Sequence, residues 1–98
     1  MMEAECVLVG NKSPIDYCSA ILYKFAELEA EKVIVKAYGR NISNAVISSN
    51  MAIRKLEEIY KIQAEITNVE IYDDPVKQGG KTRYVSGIEI TIEKIGEI

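Results

Sequence analysis

Ile34-Val35-Lys36-Ala37-Tyr38-Gly39-Arg40-Asn41-Ile42-Ser43-Asn44-Ala45-Val46 is the stretch on which the fold turns. From Lys32 the side chains alternate: Val33, Val35 and Ala37 share one face, while Ile34, Lys36, Tyr38 and Arg40 share the other. A period of two predicts a β-strand over Lys32–Arg40. Gly39 permits the tight turn that ends it. Beyond that point the period changes. Ile42, Ala45, Val46, Ser49, Ile53, Leu56 and Tyr60 recur at helical spacing, so a helix is expected from about Asn41 to Tyr60, capped by Asn41 or Ser43.

Upstream, Cys6-Val7-Leu8-Val9 is an apolar run that stops at Gly10, the pattern of a short buried strand. Ser13-Pro14-Ile15-Asp16 then opens a helix: serine can cap, proline suits the first helical position, and the acid suits the positive end of the helix dipole. Ile15, Cys18, Leu22 and Phe25 carry the helical period through about Glu29. Downstream, two strands are expected at Glu65–Tyr72 and Arg83–Ile95. Residues 73–82 are rich in turn formers and read as a loop. The sum is β-α-β-α-β-β, an α/β two-layer sandwich with both helices on one face of a four-stranded mixed sheet. Its other face should stay partly wet.

A chain of 98 residues suffices for one such domain, expected to span 1–98. It has no histidine, which excludes His-based triads and His metal ligands. Cys6 and Cys18 are spaced for neither a redox pair nor a metal knuckle, and both read as small buried hydrophobes. No apolar run is long enough to span a bilayer, and the acidic start at Met1-Met2-Glu3-Ala4-Glu5 does not resemble a signal peptide. A cytoplasmic location is the expectation, without membrane partner or small-molecule substrate. Two adjacent carboxylate pairs, Glu57-Glu58 and Asp73-Asp74, have no neighbouring nucleophile or phosphate-cradling loop. No enzyme activity, metal or cofactor is therefore expected.

The net charge of −3 looks unsuited to a polyanionic partner, but the charges are unevenly spread. Between Glu31 and Glu57 there is no acid, and that window holds Lys32, Lys36, Arg40, Arg54 and Lys55. Between Asp74 and Glu89 there is again none, and the window holds Lys77, Lys81 and Arg83. The two windows carry +8 and the remainder −11. Tyr38, between Lys36 and Arg40, could stack on a base while its neighbours meet phosphates. The Lys77–Arg83 segment, at a hairpin tip, could act as an arm that enters a groove.

These residues resemble a family. Val7-Leu8-Val9-Gly10-Asn11-Lys12 is similar to the first strand and basic turn of the Alba proteins, small archaeal chromatin and RNA-binding proteins. Ile34 to Val46 resembles that family's most diagnostic stretch, and Val85-Ser86-Gly87-Ile88-Glu89-Ile90-Thr91-Ile92 resembles its closing strand. The resemblance implies a homodimer or a heterodimer with a paralogue, binding double-stranded DNA and RNA without sequence preference, in the cytoplasm and on the chromosome or nucleoid. Carried over by position, it points to Asn11, Lys12, Lys36, Tyr38, Arg40 and Asn44 near the dimer body, and to Lys77, Lys81 and Arg83 in a long β3-β4 hairpin arm. It also implies that Lys12 matches the second of two adjacent loop lysines, one of which is acetylated in some members, and that Leu56 matches an apolar contact between dimers. Three cations of the family pattern are replaced here, by Asn11, Tyr38 and Asn44. Attenuated affinity is the expectation, since each phosphate left without its cation lowers the salt slope by about 0.9 on duplex DNA. The competing expectation is an acidic paralogue that pairs with a basic chain and modulates it.

Overall fold

A computed structural model describes residues 4–97. The elements run β1 (Glu5–Val9), α1 (Pro14–Ala26), β2 (Lys32–Tyr38), a single 3-10 turn (Gly39–Asn41), α2 (Ile42–Tyr60), β3 (Ile62–Gln78) and β4 (Lys81–Glu97). The strands form one mixed sheet in the order β1-β2-β4-β3. β1 and β2 are parallel, joined through α1, while β4 runs antiparallel to both of its neighbours. This is the architecture the periodicities predict.

Both helices pack on one side of the sheet. Val7 and Val9, Val33, Val35 and Ala37, and Ile88, Ile90 and Ile92 are buried there against Cys18, Ile21 and Phe25 of α1 and Ala45, Ala52 and Leu56 of α2. Ser13 caps α1 by accepting a hydrogen bond from the Ile15 amide, with Pro14 at the first helical position. The buried stripe of α2 is rotated from the predicted one. Ala45, Ser48, Ser49, Ala52 and Leu56 face inward, while Val46 and Tyr60 are 40% and 44% exposed. Small residues let the helix approach the sheet closely, and its bulkier residues are left on the flank.

Three further expectations are corrected. The segment 73–82 is not a loop. β3 and β4 pair continuously out to Gln78 and Lys81, leaving only Gly79-Gly80 as a turn. Both glycines have positive φ (58° and 78°), the backbone of a two-residue hairpin turn, and Pro75 is tolerated because β3 is an edge strand. From Asp73 and Ser86 outward no third strand joins the pair, so the hairpin projects as an arm and the molecule extends over 53 × 29 × 18 Å. Cys6 is exposed, because it alternates with Val7 and points to the side of the sheet that has no helices; only Cys18 is buried. Leu56 is wholly buried in the core, where it cannot reach a second dimer.

Candidate nucleic-acid interface

Because β1 and β2 are parallel, their C-terminal ends lie at the same end of the sheet. The Gly10–Ser13 loop follows β1 and the Gly39–Asn41 turn follows β2, so both loops and the N-termini of both helices meet there. β4 pairs with the last residue of β2 through Tyr38 and Gly87, and the arm leaves from that point. Chain segments distant in sequence are thus gathered at one end. Lys12, Arg40, Lys77, Lys81 and Arg83 all belong to it, and all are exposed.

The loop is held by two side chains. Asn44, in the first turn of α2, donates from Nδ2 to the carbonyls of Gly10 (3.0 Å) and Lys12 (2.8 Å). The Tyr17 hydroxyl accepts from the Lys12 amide at 3.2 Å. Ser48, one turn beyond Asn44, donates its buried hydroxyl to the Asn44 carbonyl at 2.7 Å and lies 3.2 Å from the carbonyl of Pro14 at the start of α1. Asn44, predicted to meet nucleic acid, therefore acts on the loop backbone. It fixes the segment that carries Asn11 and Lys12, both exposed.

Arg40 lies in the 3-10 turn, not on the strand as predicted. Gly39, with φ of 56°, bends the chain out of β2 before it. No side chain caps the first turn of α2 and no acidic residue lies within it. The Ile42 amide is taken by the Gly39 carbonyl, and it is the helix dipole that favours an anion at this end. Arg40 beside it adds a full charge.

The remaining predicted residues divide. Lys36 faces the open side of the sheet and pairs with Glu89 at 3.5 Å; this carboxylate, and then Tyr38, push its pKa up. Much of its charge is already answered. Tyr38 packs edge-on against Tyr72 of β3 (ring centroids 6.2 Å apart, 82° between planes). β2 is an interior strand, so neither residue lies on a sheet edge. In the arm, Lys77, Lys81 and Arg83 are exposed, and Arg83 donates to Gln78 Oε1 at 3.2 Å. The eight cations of the two acid-free windows do not form one face: Lys32 opens β2 at the far end, and Arg54 and Lys55 lie in the later half of α2.

Sequence reasoning missed four features of this region. Tyr17 holds the loop, Ser48 lies buried between α2 and the start of α1, Tyr72 partners Tyr38, and Tyr84, 68% exposed, stands on the arm between Arg83 and Val85. Tyr84 alone had a legible signal, as an aromatic within a basic segment. The others depend on which strand lies beside which.

A family model described as Alba matches residues 6–69, about two-thirds of the sequence. The chain belongs to the Alba family. It is 34% identical to the DNA/RNA-binding protein Alba of Methanococcus maripaludis over 89 residues, covering 90% of this chain and 96% of that one. It is 31% identical to the protein of the same name from Pyrobaculum islandicum, covering 95% and 98%. Among solved structures it is similar to Alba from Thermoplasma volcanium, with a TM-score of 0.75 and 27% identity over 91% of this chain and 99% of that one. The matched block contains the β1–α1 loop, the Arg40 turn and all of α2, and it stops before the Alba arm.

Proposed function

We propose that this Alba chain is a binding protein, without enzymatic activity, that acts as a dimer on double-stranded DNA and RNA. It recognises the phosphate backbone and not the base sequence. The observation that carries this reading is the meeting of the Lys12 loop, the Arg40 turn, the uncapped start of α2 and the arm at one end of the sheet. Phosphates sit against Lys12, Arg40 and the positive end of the α2 dipole. The arms, with Lys77, Lys81 and Arg83, reach along the grooves. The names of its relatives agree with this reading, and association with the chromosome follows from it.

Dimer formation is supported by an uncovered apolar strip. Ile66, Val69 and Ile71 stand on the helix side of β3 at 38%, 47% and 76% exposure, beyond the cover of α2. Ile53, and Val46 two turns before it, continue the strip along the flank of α2. Burial of such surface is the usual drive for subunit association. The same strip favours a second reading, in which this acidic chain pairs with a more basic Alba paralogue and modulates it.

Mobility-shift titration of a duplex over a range of salt tests the first reading. Binding should weaken linearly in log–log form, with a shallower slope and lower affinity than an Alba that has all three family cations. No binding at low salt overturns it. Native mass spectrometry of the chain alone and mixed with a basic paralogue separates homodimer from heterodimer.

A further inference from the structure

Tyr38 and Tyr72 reach the open side of the sheet from strands that are not neighbours. β4 runs between them, and the residue it places there, paired with both, is Gly87. The missing side chain lets the two rings close over the backbone, their hydroxyls 3.5 Å apart. A Cβ at Gly87 would lie 2.7 Å from the Tyr72 ring and 3.0 Å from the Tyr38 ring. The three residues form an aromatic step at the root of the arm, half-buried at its base, on the face that no helix covers.

The position of this step bears on what it could hold. One residue past Tyr38 the chain turns at Gly39 into Arg40; beyond Tyr72 the arm carries Arg83 and Lys81 on the face of the rings, with Lys77 on the other. A backbone running from the arm to the Arg40 turn passes over the rings. The step itself is unsuited to phosphate. Glu89 lies beside it on the same face, answered by Lys36 on one side and opposed by Glu70 on the other. Asp74 follows two residues after Tyr72, so the carboxylates outnumber the cation there. An uncharged ligand with a flat π-face fits between these cations and over these carboxylates. In a nucleic acid that ligand is a base, and only an unpaired base can leave its stack to reach an aromatic ring.

We infer that the Tyr38–Tyr72 pair seated on Gly87 is a stacking site for one unpaired nucleobase, so that single-stranded or looped segments meet a surface that a duplex does not use. This rests on the nucleic-acid reading above.

The test compares wild type, Tyr38→Phe and Tyr38→Leu on two ligands at one salt concentration: a short single-stranded RNA bearing a fluorescent aminopurine, and a blunt duplex of the same sequence. Tyr38→Phe should bind both as wild type does. Tyr38→Leu should lose roughly 5- to 150-fold on the single strand, the range for one stacked base, and abolish the aminopurine quenching. Its duplex affinity should hold, which also shows that the variant is folded. Unchanged single-strand binding by Tyr38→Leu overturns the stacking site and leaves duplex binding standing. Equal losses on both ligands also overturn it, since the pair would then only anchor the arm. If wild type binds neither ligand at low salt, the nucleic-acid reading falls and the stacking site with it.

Discussion

The Asn44 side-chain amide closes the loop between β1 and α1 by donating to the carbonyl of Lys12 at 2.8 Å and to that of Gly10 at 3.0 Å. One side chain on α2 thus sets the backbone from which Lys12 projects. Asn44→Ala should lower stability by about 0.5–1.5 kcal/mol, because the partly buried Gly10 carbonyl and the exposed Lys12 carbonyl lose their donor. Urea denaturation measures that change. Asn44→Lys restores a cation of the family pattern, yet it should not raise duplex affinity, because the added charge comes at the loss of the clamp. A clear rise in affinity would show that loop order matters less than charge.

Arg40 and Lys36 both precede α2 on the same stretch of chain and should behave differently. Arg40→Ala should lower the slope of log affinity against log salt by about 0.9 for each phosphate that Arg40 neutralises in a protomer. Lys36→Ala should alter the slope little, because Lys36 already faces Glu89 at 3.5 Å. Salt titration of both variants on one duplex separates them. Lys12→Gln, which removes the charge as acetylation would, should resemble Arg40→Ala if Lys12 meets phosphate.

Two glycines of β4 make an internal comparison. Gly87→Ala brings a Cβ to 2.7 Å from the Tyr72 ring, and the crowding should cost about 1–3 kcal/mol. The nearest atom to a Cβ at Gly96 is the Gln63 Oε1 at 3.9 Å, so Gly96→Ala should be close to neutral. Similar midpoints in urea for the two variants would argue against tight seating of the tyrosine pair.

Charge placed on the apolar strip should separate subunits without unfolding them. Val69 and Ile71 are 47% and 76% exposed in the single chain, so Val69→Glu and Ile71→Glu leave its core intact. Sedimentation should then report monomers with native circular dichroism. Leu56→Ala offers the contrast. Leu56 is fully buried, and its truncation should cost about 2–5 kcal/mol of folding stability as a core defect.

The two thiols should differ sharply towards an alkylating reagent near neutral pH. Cys6 is exposed and should react in the native protein. Cys18 is buried, and its removal from water pushes the thiol pKa up, against the smaller opposing effects of Lys55 and Arg54. It stays protonated through the neutral range and should react only on unfolding. Peptide mapping after brief labelling reads both sites at once.

The order of elements was legible because each carries its own period, and the switch from two to 3.6 at Gly39 shows in the residues themselves. The arm was not. Its Asp, Pro, Gln and Gly read as turn formers, whereas a facing strand in register turns all but Gly79 and Gly80 into ladder. The inner stripe of α2 was only partly found because periodicity favours large apolar residues, and Ser48 and Ala52 are small ones that permit close approach. A register shift between Ile66 and Asn68 also breaks the alternation of β3, so Ile66, Val69 and Ile71 share a face despite uneven spacing. In the site, Arg40, Lys12 and the arm cations were visible as charges. The partnership of Tyr38 with Tyr72, the neutralisation of Lys36 and the role of Asn44 needed strand order to be seen.

The Gly79-Gly80 turn makes the arm a ruler. Six residue pairs, from Asp73 with Ser86 to Gln78 with Lys81, stand beyond the body of the sheet, a reach of about 20 Å. Adding two residues to each strand would extend that reach by about 7 Å and leave Lys77 and Arg83 pointing to their present sides. Adding one to each would reverse the side on which every residue beyond the insertion is presented. The span of backbone covered by each protomer can therefore change in steps, by even increments in one hairpin, while the folded body stays as it is.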